Sequence, residues 1–247
     1  KRQLMNNEFL LFIGFAYFLV SFIDLFHTLA YDGMGVFPWA DTNLPTQLWI
    51  AARMIKAAAL LAAPLLLWRK LRARIPVIIL TGAAVIMLIS IFRDQLGWTT
   101  WPAFPVCFVK GTGLTPFKIY AEYVICAVFT ATLGVLIVSR RKLDPGVFRY
   151  ICLAIIVTIA SELAFTEYAN VYGFANILGH ILKIVAYYLI YKAIVETGLA
   201  QPYRIIFREL DQRVQERTTE LSQTVEALQG EVRGRIQAEK KLLERSE

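Results

Sequence analysis

Apolar stretches of membrane-spanning length fill the chain as far as Leu199, separated by short polar connectors, and then the pattern changes period. A bilayer core of about 30 Å takes about 20 mostly apolar helical residues. Six segments answer to that requirement: Phe9 to Ala30, Leu48 to Trp68, Pro76 to Ile91, Phe117 to Ser139, Val147 to Tyr168 and Phe174 to Glu196, the third being the shortest. From Tyr203 onward, Phe207, Leu210, Val214, Leu221, Val225, Leu228, Val232 and Ile236 recur at threes and fours, with Glu and Arg between them. That spacing predicts a long amphipathic helix of coiled-coil type. The steps of four, three and four from Leu221 to Val232 interrupt strict heptads and locally unwind a supercoil. Gly230 and Gly234 weaken the same helix. The predicted fold class is all-α: a polytopic transmembrane helix bundle of six visible helices continuing into a cytoplasmic coiled-coil helix, with a membrane-embedded domain over 1–200 and a helical linker over 201–247.

The connectors give the bundle an orientation. Leu67 to Pro76 holds Arg69, Lys70, Arg72 and Arg74, and the segment after Ser139 holds Arg140, Arg141, Lys142 and Arg149. Basic loops stay in the cytoplasm, so those two face inward. The alternate connectors are Tyr31 to Thr46 with Asp32 and Asp41, Arg93 to Thr115, and a tight turn near Asn170. They are poor in basic residues and rich in Trp, Phe, Gly and Pro, and are expected to face outward. Lys1 and Arg2 agree with a cytoplasmic start, and six crossings return the tail to the cytoplasm.

Composition agrees with this reading and removes others. Of 247 residues, 57% are hydrophobic and only 18% charged, below the roughly one quarter charged of soluble domains. The net charge of +7 would suggest nucleic acid on a soluble surface, but Tyr203 to Glu247 is neutral, with nine basic and nine acidic residues. The excess therefore lies among the apolar spans, where it reads as membrane anchoring, and no nucleic-acid partner is expected. Cys107, Cys126 and Cys152 show no CxxC spacing and predict neither disulfides nor a zinc framework. A chain opening at Lys1 and stopping within a charged helical pattern reads as a piece of a longer protein.

Ionisable groups inside a membrane are costly and mark functional sites by default. The first span carries Asp24 and His27, three apart and on one face. The second carries Gln47, Arg53 and Lys56; the fourth begins with Lys118 and Glu122; the fifth carries Ser161, Glu162, Glu167 and Tyr168. Asn176, His180 and Lys183 form one stripe on the sixth. All fall in the outer halves of their helices, which predicts one polar chamber opening outward, with Asp24, Glu122 and Glu162 balancing Arg53, Lys56 and Lys183. The competing reading is a set of helix-locking pairs, with Lys56, Lys118 and Glu167 snorkelling to the interface. His27 and His180 also admit a haem or a metal ion, with Asp24, Glu122 or Glu162 completing a zinc set. Helical rise puts His27 about 5 Å shallower than His180, against the matched depth a haem needs. The loop YDGMGVFPWADTNLPT has a lid's composition, and an aromatic belt accounts for Trp39, Trp49, Trp98 and Trp101.

FIDLFHTLAYDGMGVF, NLPTQLWIAARMIKA, SELAFTEY, NILGHILKIVAYYLIYKAIVETGL and QPYRIIFRELDQRV together resemble the type-three membrane-associated sensor domain of the MASE group, over nearly all of Lys1 to Arg213. The resemblance implies the sensory module of a bacterial or archaeal receptor in the inner membrane, ahead of a PAS, histidine kinase or diguanylate cyclase output domain, as in two-component systems. Its polar motifs match Asp24, His27, Arg53, Glu162, Asn176, His180 and Lys183. It also implies one more helix in front, and Asp32 stands where a Lys is common.

The sequence therefore predicts a multi-pass receptor module in contact with the lipid bilayer, paired as a parallel homodimer through its cytoplasmic tail and having no catalytic residues of its own. The rivals are a haem- or metal-binding redox sensor, a small transporter, which would need a polar track through the inner halves, and an intramembrane enzyme, for which no nucleophile stands beside a base.

Overall fold

The computed structural model describes residues 2–31, 33–68, 72–166, 174–195 and 201–243. Among the described residues six helices are long and apolar enough to cross a membrane: α1 (Arg2–Leu29), α2 (Asn43–Trp68), α3 (Arg74–Phe92), α4 (Pro116–Ser139), α5 (Pro145–Thr166) and α6 (Phe174–Tyr191). Helices satisfy every backbone group internally, which lipid demands of a spanning segment. A 3₁₀ turn, Arg140–Lys142, closes α4, and residues 192–195 continue α6 as a π-helical turn. The expected turn near Asn170, together with Glu167, Tyr168 and Asp32, lies outside the described residues.

α2 is the central helix. Its membrane window is 72% buried, against 11% for α3, and it packs on α1, α3 and α4. Lipid supplies no hydrophobic drive between helices, so close packing depends on small residues that let backbones approach. The buried Ala51, Ala52, Ala57, Ala59 and Ala63 give α2 that role. α5 packs on α4 and α6, and at Gly179 a Cβ would lie 2.6 Å from the Phe165 ring, so only glycine fits there. α3 packs only on α1 and α2 among these stronger helix pairs, and presents Ile75, Ile78, Ile79, Val85 and Ile86 outward.

α2 begins five residues before the predicted start, and its first turn organises the connector 93–115. Asn43 Oδ1 accepts from the backbone N–H of Cys107 at 2.8 Å and of Phe108 at 3.0 Å, and Gln47 Nε2 donates to the carbonyls of Phe104 and Pro105. Held this way, the connector forms a short hairpin, β1 (Phe108–Val109) paired with β2 (Gly113–Leu114), whose turn uses Gly111 at φ 91°. Hydropathy gave no sign of these strands, because two-residue strands carry no periodicity. Thr115 then caps α4, its side chain accepting from Lys118 N–H, with Pro116 in the first turn.

The opposite end of the bundle carries the basic connectors. There Trp68 Nε1 donates to Ser139 Oγ at 2.7 Å, Lys142 Nζ lies 4.9 Å from the centre of the Trp68 ring, and Ala73 N–H donates to Glu8.

The chain divides into two compact units at residue 198. The second holds α7 (Gln201–Leu243), a continuous helix that runs through Gly230 and Gly234. The expected break over Thr197 to Pro202 falls mostly on undescribed residues, and Gln201 and Pro202 already belong to α7. Its apolar stripe from Phe207 to Ile236 is exposed throughout, and pairs such as Arg213 with Glu209 and Arg235 with Glu231 occupy the remaining surface.

Candidate sensing site

Helical spacing brings the polar residues of four helices together at the hairpin end of the bundle. On α1, Asp24 and His27 are one turn apart. On α2, Trp49, Arg53 and Lys56 follow at i, i+4 and i+7. On α6, Asn176, His180, Lys183 and Tyr187 make a single stripe of three turns. α5 contributes Glu162 and Phe165.

The Trp49 indole, 5% exposed, separates the assembly into two parts. On one side is a cavity of about 250 Å³ lined by His27, His180, Asn176, Lys118 and Phe165 as well as Trp49, with Lys110 and Gly111 of the hairpin turn also contributing. His27 Nδ1 donates to the Pro45 carbonyl at 2.7 Å. A carbonyl can only accept, so the neutral imidazole carries its proton on Nδ1 and presents Nε2 as an acceptor. Both imidazoles pack on the indole, at ring-centre distances of 5.4 Å for His27 and 5.9 Å for His180. Phe165 stacks edge-on against Trp49 at 4.5 Å and against His180 at 5.1 Å.

On the other side is a network of buried charges. Arg53 Nη2 donates to both oxygens of Asp24, at 2.6 and 2.7 Å. Tyr187 donates to Asp24 Oδ2 at 2.8 Å, and Lys183 Nζ lies 3.0 Å from the same oxygen. Glu162 is held more loosely, with Lys56 at 3.4 Å and Arg53 at 3.9 Å. Its Oε2 and the Nε of Arg53 have no hydrogen-bond partner among the described residues. The indole sits against this network too, with the Arg53 guanidinium 4.4 Å and the Lys183 ammonium 4.7 Å from its centre. A second pair, Lys118 with Glu122 at 2.7 Å, joins α4 to α5 through a Lys118 donation to the Phe165 carbonyl at 3.0 Å. Ser161 ties α5 to α6 by donating to the Gly179 carbonyl at 2.8 Å.

The seven residues selected from the sequence thus meet in one assembly, but in two places. His27, Asn176 and His180 line the cavity, while Asp24, Arg53, Glu162 and Lys183 lie in the network beneath the indole. The expectation of a single chamber is corrected to that extent. The snorkelling reading is corrected for Lys56 and Lys118, which are 2% and 1% exposed and ion-paired with Glu162 and Glu122; Glu167 lies outside the described residues. Of the tryptophans assigned to an aromatic belt, Trp39, Trp98 and Trp101 are exposed, whereas Trp49 is buried, and the belt reading is corrected for Trp49. Sequence reasoning placed Trp49 in the belt and passed over Phe165 and Tyr187. The available signal was their helical register: Trp49 stands four before Arg53, and Tyr187 four after Lys183.

Among the described residues no group of three or more His, Cys, Asp or Glu is placed to hold a metal ion. The two histidines considered for haem share Trp49 as a neighbour, so the indole already fills part of the space each imidazole faces. Cys107, in the connector outside the spans, is buried and its thiol is pushed up to about 12 by desolvation, which keeps it protonated and unreactive.

Between the network and the basic end the core is largely apolar, built from Phe9, Phe12, Ile13, Leu60, Leu66, Phe129 and Leu136, to which α4 and α5 add the buried Thr132 and Thr158.

The family model of MASE3, a membrane-associated sensor domain, matches residues 1–202. No curated protein and no solved structure matches the chain.

Proposed function

Because this chain belongs to the MASE3 family of membrane-associated sensor domains, we propose that the cavity at the hairpin end receives the signal and that α6 relays it. One observation carries the reading: α6 contributes His180 and Asn176 to the cavity and, one and two turns on, Lys183 and Tyr187 to Asp24. Occupation of the cavity, or protonation of His27 or His180, acts on the same rigid helix that the network holds. Glu162, with two long contacts and one unsatisfied oxygen, gives the network a second arrangement to move into. Coupling requires that the signal bind two such arrangements with different affinity.

In this reading the hairpin end faces outward and the basic connectors face the cytoplasm of a bacterial or archaeal cell, as the distribution of Lys and Arg requires. α7 is cytoplasmic and pairs with a second copy as a parallel coiled coil, which covers the exposed stripe from Phe207 to Ile236. Residues 1–200 act as the sensor domain and 201–247 as the linker to an output domain of the kinase or cyclase class. The largely apolar core below the network supports sensing over transport, because it offers a transported solute few polar contacts. A metal- or haem-based variant of the same sensor has less support, since His27 and His180 share Trp49 rather than an open slot.

The test is output activity of the receptor carrying His180→Ala or Glu162→Ala. Each is expected to lock or abolish the response to signal by about tenfold or more, the usual span of an allosteric coupling energy. Unchanged signalling in both would remove the cavity and network from the mechanism.

A further inference from the structure

Two side chains in the cavity wall have already committed their hydrogens to the backbone. His27 donates through Nδ1 to the Pro45 carbonyl at 2.7 Å, so its Nε2 carries a lone pair, and among the described residues nothing donates to it. Thr46 donates its hydroxyl hydrogen to the Thr42 carbonyl at 2.9 Å and likewise keeps only lone pairs. Both side chains line the cavity and both are buried, His27 at 9% and Thr46 at 8% exposure. A buried acceptor left without a donor is costly, so this wall selects a partner that brings one.

The rest of the lining sets shape and charge. Trp49, Phe165 and Phe108 offer flat apolar surface. The volume of about 250 Å³ exceeds the ~150 Å³ that suffices to hold benzene, so one ring with its substituents fits. An anion would set its charge against the lone pairs of His27 and Thr46. A cation would face the Lys110 ammonium in the lining, with the Arg53 guanidinium and the Lys183 ammonium 4.4 and 4.7 Å from the centre of the Trp49 ring. A neutral molecule meets neither cost. Because an ammonium only donates, the wall suits a group that gives one hydrogen bond and accepts another, and a hydroxyl on an aromatic ring does both.

We propose that the cavity binds a neutral hydroxyarene, a small molecule of the phenol class. The ring lies against Trp49 and Phe165, and the hydroxyl donates to His27 Nε2. Lys110 and Gly111, both exposed in the hairpin turn, form part of the lining, so the ligand enters from water rather than from lipid. The inference rests on the reading of this cavity as the sensing site and names its ligand class.

Three probes sharing one ring test it: phenol, anisole and benzoate, titrated calorimetrically at neutral pH into the full chain in lipid nanodiscs, with protein-free nanodiscs subtracted for partition into lipid. Anisole keeps the ring and the oxygen but has no hydrogen to give. Phenol is expected to bind at least about tenfold tighter than either of the others. His27→Asn retains an amide N–H for the Pro45 carbonyl and lacks the ring acceptor. There phenol is expected to fall to the affinity of anisole, and retained anisole binding reports that the variant is folded. Thr46→Val removes the second acceptor, is expected to narrow the preference, and stands in for His27→Asn if that variant binds neither probe. Equal affinity for phenol and anisole in the native chain, tighter binding of benzoate, or no saturable binding of any probe would overturn the proposal, as would a preference undiminished in His27→Asn, or in Thr46→Val where it stands in. Failure here with a changed output in His180→Ala removes the hydroxyarene class and leaves the sensing role. Phenol selectivity with unchanged output in His180→Ala and Glu162→Ala removes the sensing role and leaves a hydroxyarene site.

Discussion

Asp24 is the residue on which the network turns. One carboxylate accepts from Arg53 and Tyr187 and pairs with Lys183, so three side chains from two other helices depend on it. Removing one partner of a buried charge set leaves the others uncompensated, at a cost of about 3 to 5 kcal/mol. Asp24→Asn is therefore expected to lower the thermal unfolding midpoint of the purified protein in detergent far more than a conservative change on the lipid face, such as Ile78→Val; equal midpoints would mean that the network does not hold the helices. The rule that buried charge is costly found Asp24, Arg53, Glu162, His180 and Lys183 from the sequence alone. It could not say that Trp49 separates them into a cavity and a network, because an indole is equally at home in an interfacial belt. Nor could it tell a snorkelling Lys118 from one paired with Glu122 at i,i+4, since the two differ only in which way the side chain points.

At the scale of elements, the six spans were legible because lipid as a solvent leaves a helix few alternatives. Their boundaries were less so. α2 starts at Asn43, five residues early, because Asn43 and Gln47 use their side chains to hold the connector 104–108 rather than to end a helix. The hairpin at Phe108 to Leu114 follows from that tether, and it brings Lys110 and Gly111 to the cavity. Long-range tethers of this kind have no sequence period. Asn43→Ala removes the acceptor for two backbone N–H groups, each worth about 1 to 3 kcal/mol when left unmade. Amide hydrogen exchange at Cys107 and Phe108 is expected to accelerate at least tenfold in that variant while α4 is unchanged; unaltered exchange at both amides would show that the connector is held by other contacts.

For the whole molecule, the proposed function joins a membrane bundle that reads a signal to a helix that transmits it. The bundle side rests on the match of residues 1–202 to a membrane-associated sensor domain and on the stripe of α6 that serves both cavity and network. The transmitting side rests on α7, 43 residues of helix with an apolar stripe exposed along its length. That stripe was fully legible in the sequence, because its period needs no tertiary context. What the stripe meets, and how it answers to the cavity, lies beyond any period. Disulfide cross-linking in native membranes addresses both, using single cysteines placed along α7 in a background where Cys107, Cys126 and Cys152 are alanine. The account predicts fast cross-linking between copies at Leu221, Val225 and Leu228, slow cross-linking at Glu226, and a shifted pattern when His180→Ala is added. Equal rates at all four positions, or a pattern that His180→Ala leaves untouched, would contradict it.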